Sequence, residues 1–212
     1  MIAFNHIHLS FNGKKIIDDL SLAVDQGEKV VVLAKSGTGK SSLFSLVLGF
    51  IEPDEGEVFF DGRMIDEKSV WEVRKKIAYV DQDVSLGGGK ILDLLDLVAK
   101  LKTNIYLDGF REQLQELLQY FELDKEVIKK DIEDLSGGER QRLAIIIAVL
   151  LQRDVFLLDE VTSALDKQLK KKVADFFVAR EDWTCLVISH DPVWLENPAV
   201  KIFNLEEGEW KP

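Results

Sequence analysis

The chain has 212 residues, with 38 acidic against 27 basic side chains and a formal net charge of −11. Phosphate contacts need a basic surface, so this balance argues against a general nucleic-acid binder. The length suffices for a substantial core, as one large domain or a domain with a subdomain, and the single Cys185 excludes an internal disulfide.

Residues 2–9 and 20–25 alternate apolar and polar, as half-buried strands do, with the hairpin signal Asn12-Gly13 between them. Residues 1–6 carry no basic region or cleavage site, and no apolar stretch is long enough to cross a bilayer. Neither an export signal nor a membrane span is expected. The apolar run Lys29-Val30-Val31-Val32-Leu33 is a buried strand. It leads directly into Ala34, Lys35, Ser36, Gly37, Thr38, Gly39, Lys40, Ser41 and Ser42. A strand, a glycine-rich turn, and a Lys and hydroxyl that open a helix direct backbone N–H groups and a helix N-terminus at one spot. This suits a polyphosphate: Lys40 would reach the β- and γ-phosphates and Ser41 would bind Mg²⁺. The phosphate-loop pattern begins with glycine. Ala34 stands there instead, and the turn must accommodate its Cβ.

The helix is expected to run to about Leu48 and stop at Gly49. A turn at 53–56, a strand at 57–60 and a strand at 77–80 follow. Between about 91 and 130 the spacing is helical and no strand-like run occurs, with Gly87-Gly88-Gly89 as a flexible hinge at the entry. Ser136 and Glu139 then form a capping box ahead of an apolar run, and the same helix N-terminus, with Gly137 and Gly138, is suited to an anion. The two uses are compatible. Residues 154–159 and 184–189 are near-continuous apolar strands of a parallel sheet, with a helix over 167–180 between them. Cys185 is expected to be a buried strand residue without a redox role. Asp159 and Glu160 end the first of these strands, where open α/β sheets place ligands. Asp159 would hold Mg²⁺ and Glu160 would orient and polarise an attacking water. A strand at 202–205 and a turn close the chain.

Phosphate loop, Gln82 after a strand, Leu-Ser-Gly-Gly-Glu at 135–139, Asp159-Glu160, Ser163-Ala164-Leu165-Asp166 and His190 occur in this order. The chain therefore resembles the nucleotide-binding subunit of an ATP-binding cassette (ABC) transporter over essentially its whole length. The resemblance implies one α/β domain: a P-loop NTPase (RecA-like) core with an antiparallel β subdomain, residues 1–82 and 136–212, and an inserted α-helical subdomain, residues 83–135. It implies ATP and Mg²⁺ as cofactors. By matching position, Phe11 stacks on adenine, although a strand-end core Phe remains the alternative. Gln82 touches Mg²⁺ and the attacking water. Ser136, Gly137 and Gly138 are signature residues that meet ATP held on a second subunit. Asp166 lies in a loop that crosses the dimer interface, and His190 contacts the γ-phosphate. His6 and His8 match nothing. Ile147 departs from the family, which often carries Arg there.

The implied function is ATP binding and hydrolysis, with ATP driving dimer closure with a second nucleotide-binding subunit. This powers separate transmembrane permease subunits from the cytoplasmic face of the membrane, where the chain would be peripheral, with no nucleic-acid partner. The permease would dock near 82–92, where Val84, Leu86 and Ile91 either line a groove or pack internally. Lys167, Lys170, Lys171 and Lys172 form either a solvated helix face or a membrane contact. The rivals are a soluble ABC ATPase acting on a macromolecular complex and a nucleotide-binding regulator without turnover.

Overall fold

Strand β1 (Ile2–Phe11) and strand β2 (Lys14–Val24) form the N-terminal hairpin around Asn12-Gly13, both of which have positive φ. This is the turn that matches strand twist. The computed structural model describes residues 1–34, 39–101 and 109–211. β2 begins well before the alternating stretch at 20–25. Register shifts along β1, with positive φ at His6 and Asp19, break the period-two pattern between its two halves.

Strand β3 (Lys29–Leu33) leads to helix α1 (Lys40–Val47), which stops at Leu48 and Gly49 as expected. Strands β4 (Glu55–Phe60) and β5 (Arg63–Met64) complete an antiparallel sheet in the order β2-β1-β4-β5. Helix α2 (Val70–Lys76), which had no clear sequence signal, precedes strand β6 (Ile77–Val80). Helices α3 (Ile91–Lys100) and α4 (Phe110–Tyr120) and two 3₁₀ turns follow. The glycine run is less free than a hinge. Gly89 N–H donates to the Glu133 carboxylate at 3.2 and 3.3 Å, and the same carboxylate lies where a Cβ on Gly88 would sit. Helix α5 (Gly137–Leu150), strand β7 (Val155–Asp159), helix α6 (Lys167–Val178), strand β8 (Thr184–Ile188), helix α7 (Pro192–Leu195) and strands β9 (Lys201–Asn204) and β10 (Glu209–Trp210) complete the chain.

The second sheet has the order β10-β9-β3-β8-β7-β6, and β9, β3, β8, β7 and β6 run parallel. Its strands are apolar throughout because both faces are covered. Alternate residues divide between two cores. Val30, Val32, Val155, Leu157, Leu186 and Ile188 face α1 and the antiparallel sheet. Val31, Phe156, Leu158, Cys185 and Val187 face α5 and α6. That second core runs on without a break through Leu95, Leu114, Leu118, Phe121 and Ile132, so the helical segment packs onto the rest through α5. Ile147 is half-buried against this core.

Lys29 is 5% exposed, and its ammonium donates to the carbonyls of Gly27, Arg180 and Trp183 at 2.8, 2.6 and 2.6 Å. This satisfied cation ties β3 to the turn before β8. Burial pushes the Cys185 thiol up to about 12, which makes it an inert core residue. Among the described residues, no helix is long and apolar enough to cross a membrane.

Candidate nucleotide-binding site

The register of the parallel sheet brings the segments after β3, β8, β7 and β6 out side by side at its carboxyl edge. Val32 lies opposite Ile188, Asp159 opposite Ile188, and Val80 opposite Leu158. Side chains on those segments meet at the place where such sheets bind ligands.

Lys40 opens α1, with Gly39 as its N-cap at φ 91°. A Cβ on Gly39 would lie 2.6 Å from the Ile16 side chain and 3.2 Å from that of Ile17, so only glycine lets the loop lie against β2. The Lys40 ammonium donates to Glu160 Oε1 at 2.7 Å and lies 3.2 Å from His190 Nε2. At the next residue, Ser41 Oγ donates to Asp159 Oδ2 at 3.2 Å. Thus Lys40, Ser41, Asp159, Glu160 and His190, drawn from three loops, form one cluster. Ser42 is half-buried beside it on α1. Lys35, Ser36, Gly37 and Thr38 lie outside the described residues.

The electrostatics of this edge are unbalanced. Burial raises the Asp159 carboxyl to about 6; the Ser41 hydroxyl opposes the shift, Asp81 and Glu160 add to it, and Lys40 opposes it. A buried carboxylate among other carboxylates, with a hydroxyl beside it, offers hard oxygen donors and surplus negative charge. That donor set fits Mg²⁺, which takes one or two carboxylates and completes its shell with phosphate oxygens and water. Among the described residues, no group of three or more His, Cys, Asp or Glu forms a cation cage.

Three residues stand apart from the cluster. Gln82 is exposed in the turn after β6 and makes no hydrogen bond to the cluster among the described residues. Phe11 is 45% exposed at the hairpin end of β1, opposite Lys14 of β2, which removes the buried-core alternative and leaves its ring open to solvent beside the strand that meets Gly39. Asp166 is the N-cap of α6, where Oδ1 accepts from the N–H groups of Gln168 and Leu169 at 2.9 and 3.0 Å, a structural use the sequence reading did not give it.

The α5 N-terminus is built as expected. Ser136 Oγ accepts from Glu139 N–H at 3.2 Å, and Glu139 Oε2 accepts from Ser136 N–H at 2.9 Å. These bonds, with Lys130 nearby, hold the Glu139 carboxyl below its ordinary value. Ser136 and Gly137 are exposed and Gly138 is half-buried, so this helix end is open to solvent.

Sequence reading missed the residues that brace these groups. Thr162 Oγ1 donates to Asp191 Oδ2 at 3.2 Å, and Lys170 pairs with the same oxygen at 2.7 Å, which anchors the residue next to His190. Asp191 also caps α7, and the Asp191-Pro192 dipeptide is a legible helix-start signal. Gln141, buried in α5, bonds to the Glu160 turn. Two surface expectations change. Val84 and Ile91 are buried and Leu86 packs half-buried against the same core, so they fill the interior rather than line a groove. Lys170, Lys171 and Lys172 pair with Asp191, Asp175 and Glu122, which neutralises much of the basic run.

The family profile described as ABC transporter matches residues 17–163. The chain belongs to the ABC transporter family. It is 32% identical over 200 residues to the energy-coupling factor transporter ATP-binding protein EcfA1 of Mycoplasmopsis synoviae, covering 90% of this chain and 74% of that one. It is 33% identical over 217 residues to an ATP-dependent lipid A-core flippase of Ralstonia nicotianae, covering 98% of this chain but 36% of the flippase. This ABC chain thus spans about a third of the flippase's length. The dimeric ATP-binding cassette MJ0796, in a post-hydrolysis state with ADP and Pi, superposes with a TM-score of 0.84 at 25% identity, covering 100% of this chain and 97% of that one. The fold is therefore the P-loop NTPase fold of an ABC cassette, with parallel core and antiparallel sheet as expected, and the chain is an ATPase of this family.

Ala34 is 3% exposed and is not among the described non-glycine residues with positive φ, so it carries none of the strain expected of it. Ala34→Gly should therefore not tighten ATP binding. It should lower unfolding stability by about 0.4–1 kcal/mol through the freer unfolded chain, with ATP affinity changed less than about twofold; denaturant unfolding and calorimetry check the two arms.

For Asp159 the folded value, about 6, lies above the ordinary 3.8. The folded state binds the extra proton, so this group's contribution to stability is full below about pH 4 and lost as pH rises through about 6. Asp159→Asn should make the nucleotide-free protein more stable than the parent at pH 8 by about 1–3 kcal/mol, with the gap closing towards pH 4. Thermal unfolding across that range checks the sign.

Proposed function

We propose that the chain is the ATP-hydrolysing subunit of an ABC membrane transporter, working as a dimer of nucleotide-binding subunits against separate transmembrane subunits. The observation that carries this reading is the convergence of Lys40, Ser41, Asp159, Glu160 and His190 at the carboxyl edge of the sheet.

Lys40 binds the β- and γ-phosphates of ATP together with the loop N–H groups of 34–39. In the resting chain its ammonium is held by Glu160 at 2.7 Å. Phosphate oxygens replace Glu160 as the partner of Lys40, and the freed carboxylate becomes the group that orients and deprotonates the attacking water. Ser41 and Asp159, with Gln82 reaching in from the turn after β6, hold Mg²⁺, which offsets the charge developing on the transferred phosphoryl group. His190, already within reach of Lys40, contacts the γ-phosphate. Phe11 stacks on the adenine.

The other half of the site comes from a second copy. Ser136, Gly137 and Gly138 present a capped, solvent-open helix N-terminus. It meets the γ-phosphate of ATP bound to the partner subunit, and Asp166 and its loop lie at that interface. The helical segment 83–135 moves as a body with α5 and passes closure to a permease. The exposed apolar side chains Leu92, Leu97 and Leu101, rather than the buried Val84 and Ile91, are the ones free to meet it. The chain then works as a peripheral subunit at the cytoplasmic face, and co-purification identifies the permease.

Glu160→Gln tests the centre of this reading. Turnover should fall by roughly 10²–10⁴, the usual worth of a positioned general base, while ATP affinity is kept. The variant should collect as an ATP-bound dimer on size-exclusion chromatography with ATP and Mg²⁺, and Ser136→Arg added to it should dissolve that dimer. Hydrolysis at the parent rate would remove Glu160 as the base.

A further inference from the structure

Gln141 lies on α5, one turn beyond the cap, and is 2% exposed. Its amide is fully used on a single stretch of chain. Nε2 donates to the backbone carbonyl of Glu160 at 3.1 Å and to Ser163 Oγ at 3.4 Å, and Oε1 accepts from Ala164 N–H at 3.1 Å. These contacts cross from the helix that begins with Ser136, Gly137 and Gly138 to the turn that carries Glu160.

Glu160 needs such support. It has φ 46°, a left-handed backbone that a residue with a Cβ adopts at a cost and keeps only where its surroundings enforce it. β8 holds one side of it, with Glu160 N–H donating to the Ile188 carbonyl at 2.9 Å. The other side, the Glu160 carbonyl, accepts from Ser163 N–H at 3.0 Å within its own turn. Among the described residues, Gln141 gives the one bond to that carbonyl that comes from a different element, and it fixes the turn to α5. The peptide orientation at Glu160 sets where its carboxylate points, and that carboxylate is the one on Lys40.

We infer that Gln141 is a positioning residue for Glu160: its amide holds the Glu160 backbone in the left-handed turn and thereby aims the carboxylate, while linking that aim to α5. The assignment rests on the proposed role of Glu160 as the base. A helix that carries the partner-facing signature end at one point and grips the Glu160 carbonyl one turn later relates the two halves of a composite site through one buried amide. Gln141 itself touches neither nucleotide nor water.

The test is steady-state ATP hydrolysis by the chain in the assembly with which it co-purifies, with calorimetric ADP affinity and thermal unfolding measured beside it. Gln141→Met keeps length and burial but removes both hydrogen-bonding ends. It should lower kcat by about 10–100-fold while ADP affinity and KM for ATP stay within about threefold, because Lys40 and Ser41 are untouched. Gln141→Glu keeps the acceptor for Ala164 N–H and loses the donor to the Glu160 carbonyl, and should show the same loss of kcat. In the Glu160→Gln background, Gln141→Met should cost nothing further, since there is no base left to aim. A purely structural role would instead multiply the two losses and lower ADP affinity with them. Parent kcat in either variant, multiplying losses, or failure of both variants to fold would overturn the assignment. Parent-rate hydrolysis by Glu160→Gln alone would instead overturn the role of Glu160, and is read separately.

Discussion

One ammonium against three carboxylates is the constraint around which the rest of the site is arranged. Asp81, Asp159 and Glu160 emerge at the carboxyl ends of β6 and β7, and Lys40 is the cation that opposes them. The pair between Lys40 and Glu160 is mostly shielded, with side-chain exposures of 13% and 22%, so its geometry matters more than that of an exposed pair. Burial, with Asp81 and Glu160 adding to it, raises the Asp159 carboxyl to about 6 despite Ser41 and Lys40. A ligand that brings phosphate oxygens for the lysine and a divalent cation for the carboxylates resolves both tensions together. Either one alone would relieve half of the problem and sharpen the other half.

The sheet makes this crowding possible. Parallel strands buried on both faces place their carboxyl ends at one edge, and the two cores on either side hold that edge rigid. The antiparallel sheet takes part through Ile16 and Ile17, against which Gly39 packs, so the start of α1 is placed against β2 as well as by the core. The loop after β8 is held by Thr162, Asp191 and Lys170, which locks His190 into the neighbourhood of Lys40. Backbone strain is present at this edge too: Glu160 and Val84, each with positive φ, lie in the segments that follow β7 and β6.

Much of this was legible in the chain. The strands at 29–33, 77–80, 155–159 and 184–188 announce themselves as apolar runs because a sheet covered on both faces leaves no polar side to disguise them. The α5 cap was legible because its chemistry is local, a Ser and a Glu three residues apart. What stayed hidden was what depends on distant chain. The start of β2 was obscured by bulges at His6 and Asp19, α2 is too short to show a period, and the three glycines at 87–89 looked free because nothing nearby in sequence foretells Glu133. The same holds at the site. Lys40 and Glu160 were each recognisable, but their ion pair joins residues 120 positions apart. Ala34 looked strained only because a glycine pattern was assumed to require positive φ at its first position. Gln141 carried no signal, since a glutamine among arginines on a helix is ordinarily solvated.

The two proposed half-sites share a property that bears on how they would meet. Each is internally satisfied in the single chain: Lys40 by Glu160, and the α5 N-terminus by its own capping box. The lysine and the helix cap are therefore paired in a lone, nucleotide-free subunit, and the group left at a cost is the buried Asp159 carboxyl. The capping box also means that the helix end facing a second subunit is ordered before any encounter. Closure then avoids much of the side-chain ordering cost of about 0.5–1.5 kcal/mol per immobilised group that association otherwise carries. The remaining cost falls on the Lys40–Glu160 pair, which must open for phosphate to enter. That asymmetry puts the control point on the nucleotide side: the signature end waits preformed, and what decides whether the halves join is whether phosphate has taken Lys40 from Glu160.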